Sequence, residues 1–209
     1  ILRMAKPHVG TDLIKNVVKS IREEIISLGG QVCFMSSVDK FEIKSGKLCA
    51  VYSKNERIPC KVLILAIGHS ARNTFEYLNE AGMFMEQKPF AIGARIEHRQ
   101  KDINKALYGK YAGDLRLPPG EYALTCKIHN RGCYSFCMCP GGVVVPAASE
   151  SGGIVVNGMS NYKREGENAN SALVVTVNKS DFDDASPLAG MYFQRNIEYA
   201  AYKLTGGYA

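Results

Sequence analysis

The sequence "KVLILAIGHSARNTF", residues 61–75, decides the fold prediction. Residues 62–65 are apolar without alternation, which predicts a strand over residues 61–68 that is buried on both faces, as in a parallel sheet. Gly68 ends this run, and a helix is predicted to begin at Ser70. A glycine between a strand and a helix lets a phosphate approach the free N–H groups of the helix. A plain strand–helix corner has the same pattern, so the stretch alone leaves both interpretations open.

The segments before this stretch fit the same α/β unit. Residues 11–28 carry apolar side chains at helical spacing, and Thr11 or Asp12 can cap the helix by accepting a backbone N–H. A further strand is predicted over residues 31–38, and the alternating residues 39–60 predict an antiparallel meander. We therefore expect the buried strand to lie in a parallel sheet flanked by the first helix.

The sequence pattern changes after Lys88-Pro89, where we place a domain boundary. The fold class is predicted as α/β, with a Rossmann-like nucleotide-binding unit in residues 1–87 followed by a β-rich α+β unit in residues 88–209. The second unit ends in a helix, for which Pro187 suits the first turn. Strands are expected in residues 90–98, on both sides of a turn at 130–132, and in 141–147, 152–160 and 171–178, with a short helix over 100–109.

Composition excludes several classes of protein. The net charge of +6 is spread along the chain without a Lys/Arg block, so nucleic-acid binding is not indicated. No apolar run approaches the length of a membrane span. Seven scattered cysteines argue against a disulfide scaffold and favour a reducing, cytoplasmic location. The chain begins with Ile1 and is expected to be a fragment of a longer protein.

Several segments together resemble a bacterial family of uncharacterised FAD-dependent dehydrogenases, which have the two-dinucleotide-binding fold of glutathione reductase. The strand–glycine–helix stretch is similar to the Ala-Thr-Gly motif of these flavoproteins. The other segments that carry the resemblance are "KPHVGTD" (6–12), "PFAIGARIEH" (89–98), "YSFCMCPGG" (134–142), "NGMS" (157–160) and "NANSALVV" (168–175).

The resemblance implies that this chain holds only part of an FAD site. In the family, the glycine-rich loop lies N-terminal to this segment and the strand at the flavin pyrimidine lies C-terminal to it. Val38 is implied to bind adenine through its backbone, and Ala66, Gly68 and His69 to approach the ribose–pyrophosphate. Ile67 stands where the family usually has Thr, so a hydroxyl contact is lost there. We expect FAD in the parent protein and not in this fragment alone.

Cys137 and Cys139 are the sharpest chemical candidates. Beside a flavin, two thiols could carry electrons through a disulfide, or one thiolate could attack a substrate. A strand would point both side chains to one face, which disfavours a bond between them, so both are expected to be reduced. They could also simply line a pocket. With Cys133 they could form a zinc site, but zinc needs a fourth ligand and His129 is the only nearby candidate.

Polar residues of two further strands are candidate substrate or cofactor ligands. Arg95 shares a strand face with Glu97 and could hold a substrate carboxylate or the negative charge of a flavin, or it could lie on a solvated face. His98, Asn168 and Asn170 are the substrate-binding candidates, although the two asparagines could serve as turn residues. Before the first helix, Lys6 and His8 are expected near the cofactor.

Together these features predict the parent protein to be an FAD-dependent oxidoreductase. It would move a hydride or an electron pair to or from a small molecule, with NAD(P)H or another electron donor as partner. Two alternatives remain open at this stage. One is a flavin-dependent RNA-modifying protein, and the other is a non-enzymatic binding module with a vestigial flavin site.

Overall fold

The computed structural model describes residues 8–182 and 184–207. Within these residues the chain is a mixture of helices and antiparallel sheets. The helices are α1 (Thr11–Ser27), α2 (Arg72–Glu80), α3 (Gln100–Tyr108) and α4 (Ala189–Thr205). The strands are β1 (Lys40–Lys44), β2 (Lys47–Ser53), β3 (Glu56–Pro59), β4 (Phe90–Arg99), β5 (Thr125–Ile128), β6 (Arg131–Cys139), β7 (Gly142–Pro146), β8 (Val156–Ser160) and β9 (Asn168–Val177).

The predicted meander is confirmed as the sheet β1-β2-β3. Its first turn places Ser45 and Gly46 at φ of 50° and 73°, the left-handed pair that a two-residue hairpin requires. Helix α2 covers one face of this sheet, where its Leu78 packs with Phe41 and Val51 to form a small core. Of the predicted strand–glycine–helix corner, the structure therefore contains the helix, which begins at Arg72.

The predicted parallel strands are wrong. Neither residues 31–38 nor residues 61–68 form a strand in the structure, and the sheets of the described residues are antiparallel. In the second segment Leu63 packs on the first core, whereas Val62 and Ile64 are 80% and 85% exposed. Because the described residues supply no parallel neighbour, the backbone of this segment lacks the hydrogen-bond ladder that defines a strand, and only one of its faces is covered.

The second half of the chain is built on a four-stranded sheet in the order β4-β9-β6-β5. Its helices and strands follow the prediction closely, except that the hairpin turn lies at His129 and Asn130, one residue earlier. One face packs on the start of α4, where Val177, Phe182 and Ala189 form the second core. The remaining strands β7 and β8 form a separate antiparallel pair.

Helix α1 keeps its predicted length but not its predicted environment. None of its residues is buried, so its apolar stripe faces outward, with Val18 and Ile21 both 57% exposed. The expected cap is also absent, because Gly10 precedes the helix and no side chain caps it. No helix in the described part of the chain is long and apolar enough to cross a membrane.

Buried ion pairs join α2 to the second half of the chain. Arg72 is 3% exposed and donates to both carboxylate oxygens of Glu198 in α4, at 2.7 and 2.8 Å, and to Glu150. Arg195 of α4 donates to Glu150 at 2.9 Å and to Glu76 of α2 at 3.1 Å. Arg195 and Arg72 lower the pKa of Glu150, because they stabilise its charged form.

Replacing Arg72 with alanine will leave Glu198 buried without its cation. We expect the free energy of unfolding to fall by about 3–5 kcal/mol, the usual cost of breaking one side of a buried pair. The matched control is Arg99→Ala, which removes an exposed pair with Asp102 and should cost at most about 1 kcal/mol. Urea denaturation measures both, and equal losses in the two variants would show that the buried pair has no special role.

Candidate functional site

The face of the second sheet opposite α4 carries a polar cluster centred on Arg95. The register places Asn170 of β9 directly opposite both Glu97 of β4 and Cys139 of β6. Arg95, two residues before Glu97, lies on the same face and is half-buried. Its Nη1 donates to Asn170 Oδ1 at 2.6 Å and to the Cys137 carbonyl at 3.2 Å. The structure thus brings together four predicted site residues from three strands: Arg95, Cys137, Cys139 and Asn170.

Gly158 of β8 lies against this cluster. A Cβ at this position would overlap Asn170 Oδ1 and Arg95 Nη1 and would lie 2.8 Å from Cys139 Sγ. Only a glycine therefore allows the β7–β8 pair to approach the cluster this closely. Sequence reasoning did not select Gly158 as a site residue, although an isolated glycine in a strand pattern is a known signal of close backbone approach.

The two cysteines of the C-x-C motif differ in exposure, although their thiols are neighbours. The register between β6 and β9 shifts between Phe136 and Cys139, and Cys137 in this bulge has a left-handed φ of 50°. Its side chain is exposed, whereas Cys139 is buried, with its thiol 3.5 Å from the Cys137 carbonyl. The bulge breaks the regular strand geometry that the prediction assumed, yet both side chains line the same cavity. All seven cysteines are free.

A cavity of about 330 Å³ lies beside the cluster. It is bounded by the start of α1, by the turn after β6 and by the end of β8. Its lining includes His8, Thr11, Cys137, Met138, Gly158 and Arg164. Three chain segments that are far apart in sequence therefore enclose one space, with the exposed Cys137 on its wall.

The start of α1 and the residues just before it are fastened to the end of β8 and the loop after it by three polar contacts. Thr11 Oγ1 donates to the Ser160 carbonyl at 3.2 Å, and Asp12 Oδ1 accepts from Tyr162 N at 2.9 Å. The ring of His8 lies 2.9 Å from the Asn161 carbonyl. Thr11 and Asp12 were predicted as helix caps, but their side chains hold this loop instead. Lys6, the other residue expected here, lies outside the described residues.

Glycines at two further points let backbones pack directly. Gly10, at φ 81°, approaches the backbone of Tyr162 so closely that any Cβ would overlap it. Gly141, at φ 56°, lies in the same way against the carbonyl of Arg164. The loop that follows β8 is thereby clamped between the start of α1 and the turn after β6. These backbone contacts hold in place the segments that form the cavity walls.

Two features describe the chemistry of the cluster. Burial, and then the neighbouring Cys137, raises the pKa of the Cys139 thiol, which therefore stays protonated near neutral pH. Asn170 is fully buried, and its Nδ2 has no hydrogen-bond partner among the described residues. A buried donor without a partner costs about 1–3 kcal/mol, so the fold keeps this amide in place at a cost in stability.

The other predicted substrate ligands lie further away. His98 projects from the opposite face of the sheet, where its Nε2 lies 3.4 Å from the hydroxyl of Tyr122. Asn168 shares the face of Asn170 but pairs with Arg99 at the end of β4. Side chains alternate between the two faces of a strand, and His98 is three residues from Arg95, so the two lie on opposite faces of the sheet.

The residues predicted to bind the adenine side of FAD do not converge. Val38 packs on the first core and lines one pocket with Tyr77, whereas His69 lines another beside the start of α4. Ala66 and Gly68 are exposed, and Gly68 has the left-handed φ of 68° expected of a glycine corner. In the described residues these four positions do not form a dinucleotide cradle. The same residues contain no cluster of three metal ligands, including around Cys133 and His129.

Comparison with known proteins gives two matches. Residues 89–209 match the family described as FAD-dependent protein, C-terminal domain-like. The chain is also 54% identical, over 205 residues, to an uncharacterized protein of Clostridium beijerinckii. That alignment covers 97% of this chain but 38% of the relative, so the chain spans well under half of the relative's length.

We expect Gly158→Ala to destabilise the protein, because the added methyl group would overlap the Arg95–Asn170 hydrogen bond. Overpacking of this kind costs about 1–3 kcal/mol. Gly153→Ala is the matched control, since a Cβ there makes only ordinary contacts with Glu150 and Glu198. Urea denaturation gives both values. Equal stability of the two variants would show that Gly158 does not lie as close to Arg95 and Asn170 as described.

Proposed function

Because the chain belongs to the FAD-dependent protein, C-terminal domain-like family, we propose that it is part of a longer FAD-dependent oxidoreductase and forms the wall of its active site. One observation carries the proposal. Gly10, Arg95, Cys137, Gly158 and Asn170, which come from the five segments of the family resemblance outside the opening stretch, meet around one cavity and its adjoining cluster. When bound, FAD would accept or donate a pair of electrons there.

In this proposal Arg95 supplies a fixed positive charge. Its Nη1 is held by Asn170 and by the Cys137 carbonyl, and these are the hydrogen bonds its guanidinium makes among the described residues. The remaining N–H donors are free to meet an anion or the polar edge of a flavin. Asn170 is fully buried, so its part is to hold the Arg95 guanidinium in place. The fixed charge of Arg95 fits a group that gains negative charge.

The two cysteines have different roles in this proposal. Cys139 is buried with a raised pKa, so its part is to support the cluster beneath Gly158. Cys137 is exposed on the cavity wall, in a left-handed backbone conformation that is unusual for a residue with a side chain. Both cysteines line the cavity, and Cys137, the more exposed of the two, is the thiol better placed to touch a substrate. The substrate would be a small molecule, and NAD(P)H or another donor would supply electrons.

The division near residue 88 is also part of the proposal. Residues 1–87 would be one portion of the FAD-binding domain, and residues 88–209 the substrate domain. The outward apolar stripe of α1 and the exposed Val62 and Ile64 support a longer protein, because apolar faces of that extent are normally covered. In the longer protein, further strands and helices would cover them and complete the cradle at Val38, Ala66, Gly68 and His69.

The purified 209-residue chain is expected to be colourless. The charge-assisted hydrogen bonds that the pyrophosphate needs are each worth about 1.5–3 kcal/mol, and these four positions alone do not form the cradle that would supply them. Each 1.4 kcal/mol lost weakens binding about tenfold. The visible absorption spectrum after purification measures the outcome. Stoichiometric bound flavin would mean that this chain contains a complete FAD site.

Removing the charge of Arg95 in the longer protein will test its role directly. We expect Arg95→Met to lower the midpoint potential of the bound flavin, because a nearby cation stabilises the reduced, more negative form. A shift of about 30 mV corresponds to about 1.4 kcal/mol for a two-electron couple. Anaerobic reduction against a reference dye measures the potential without any need to know the substrate.

Two control variants accompany this measurement. Arg95→Lys keeps the charge and should retain most of the potential. Arg99→Met removes a cation from the same strand, four residues away, where Arg99 pairs with the exposed Asp102, and should leave the potential unchanged. Equal potentials in Arg95→Met, Arg99→Met and the unmodified protein, each with FAD bound, would contradict the proposal.

A further inference from the structure

A second pair of cysteines faces the other side of the sheet. Cys126 of β5 and Cys133 of β6 are directly opposite each other in the antiparallel register. Cys133 pairs with Val175 of β9, an odd number of residues from Asn170, so the pair lies on the face away from the Arg95 cluster. We propose that Cys126 and Cys133 form an oxidation site, which a peroxide converts into a cross-strand disulfide. This proposal does not depend on the proposed flavin chemistry.

The backbone geometry allows this bond. Ser135 N donates to the Leu124 carbonyl at 2.8 Å, so the pair two residues along, Cys126 and Cys133, is also a hydrogen-bonded pair. Such pairs have Cα atoms about 5.5 Å apart, which is inside the usual disulfide range of about 4.4–6.8 Å. The Cβ atoms of a hydrogen-bonded pair lie near the wide end of the range of about 4.5–5.5 Å, so they must come about 1 Å or more closer to reach the disulfide range of about 3.5–4.5 Å.

The position of β5 makes this small movement feasible. It is the edge strand of the sheet, it has only four residues, and all of them are exposed. An edge strand has a neighbour on one side only, so it can shift without disturbing a second ladder. The disulfide would retain some strain, which makes it easy to reduce and the oxidation reversible.

The two thiols differ in a way that suits a two-step oxidation. Cys126 is exposed, whereas Cys133 is half-buried, and burial together with the neighbouring Cys126 raises the pKa of the Cys133 thiol. The Cys126 thiolate attacks the peroxide, breaks the O–O bond, and becomes a sulfenic acid while hydroxide leaves. The Cys133 sulfur then attacks the sulfenic sulfur and releases water. In sum, two thiols and one hydrogen peroxide give one disulfide and two waters.

The test treats the folded 209-residue chain with stoichiometric hydrogen peroxide, alkylates the remaining thiols, and identifies linked tryptic peptides by mass. Trypsin separates residues 117–127, which contain Cys126, from residues 132–163, which contain Cys133, Cys137 and Cys139. Fragment spectra distinguish these three partners. We expect a loss of two alkylatable thiols, a link from Cys126 to Cys133, and recovery of both thiols with dithiothreitol.

Variants make the assignment firm. Cys126→Ser and Cys133→Ser should each abolish the link, whereas Cys137→Ser should retain it. Cys33, which is exposed and has no cysteine opposite it in a strand pair, serves as the internal reference and should remain alkylatable under the same treatment. A link from Cys126 to Cys137 or Cys139, or oxidation of Cys126 no faster than that of Cys33, would overturn the proposal.

Discussion

The hydrogen bond from Arg95 Nη1 to Asn170 Oδ1 is the contact on which the candidate site depends. It joins the two longest strands of the second sheet at the point where β6 bulges, and the same nitrogen also holds the carbonyl of the bulge residue, Cys137. Hydrogen bonds from a charged donor are worth about 1.5–3 kcal/mol each, so the arrangement is rigid. Gly158 can then lie directly against it, which brings β8 and its loop to the site.

The rest of the site is held together by direct contacts between backbone segments. Gly10 and Gly141 hold the loop after β8 from two sides, and Thr11 and Asp12 hold it with their side chains. The first helix is therefore attached at its N-terminus while its apolar stripe remains open. A helix fastened at one end and uncovered along its length is what one expects of an element that packs against more protein. The chain spans 38% of the length of the Clostridium beijerinckii relative.

The sequence predicted the local elements better than their partners. The strand–turn patterns of residues 39–60 and of the second half were sufficient to predict the hairpins there, because a hairpin is specified by residues close together in the sequence. The strand over residues 61–68 failed because a parallel strand needs partners far away in the chain, and the described residues supply none. Arg95 was correctly placed on a strand, whereas Asn170 was placed just before one, and nothing in the sequence indicated the bulge at Cys137. Gly158 carried a readable signal, but its contact partners depend on the sheet register.

The most direct measurement is a crystal structure of the longer protein with FAD bound. If the proposal is right, the flavin ring will lie in or beside the cavity walled by Thr11, Cys137 and Gly158. The Arg95 guanidinium will then be within hydrogen-bond distance of the ring or of a ligand stacked on it. A flavin ring bound elsewhere, with solvent filling this cavity and no ligand at Arg95, would contradict the account.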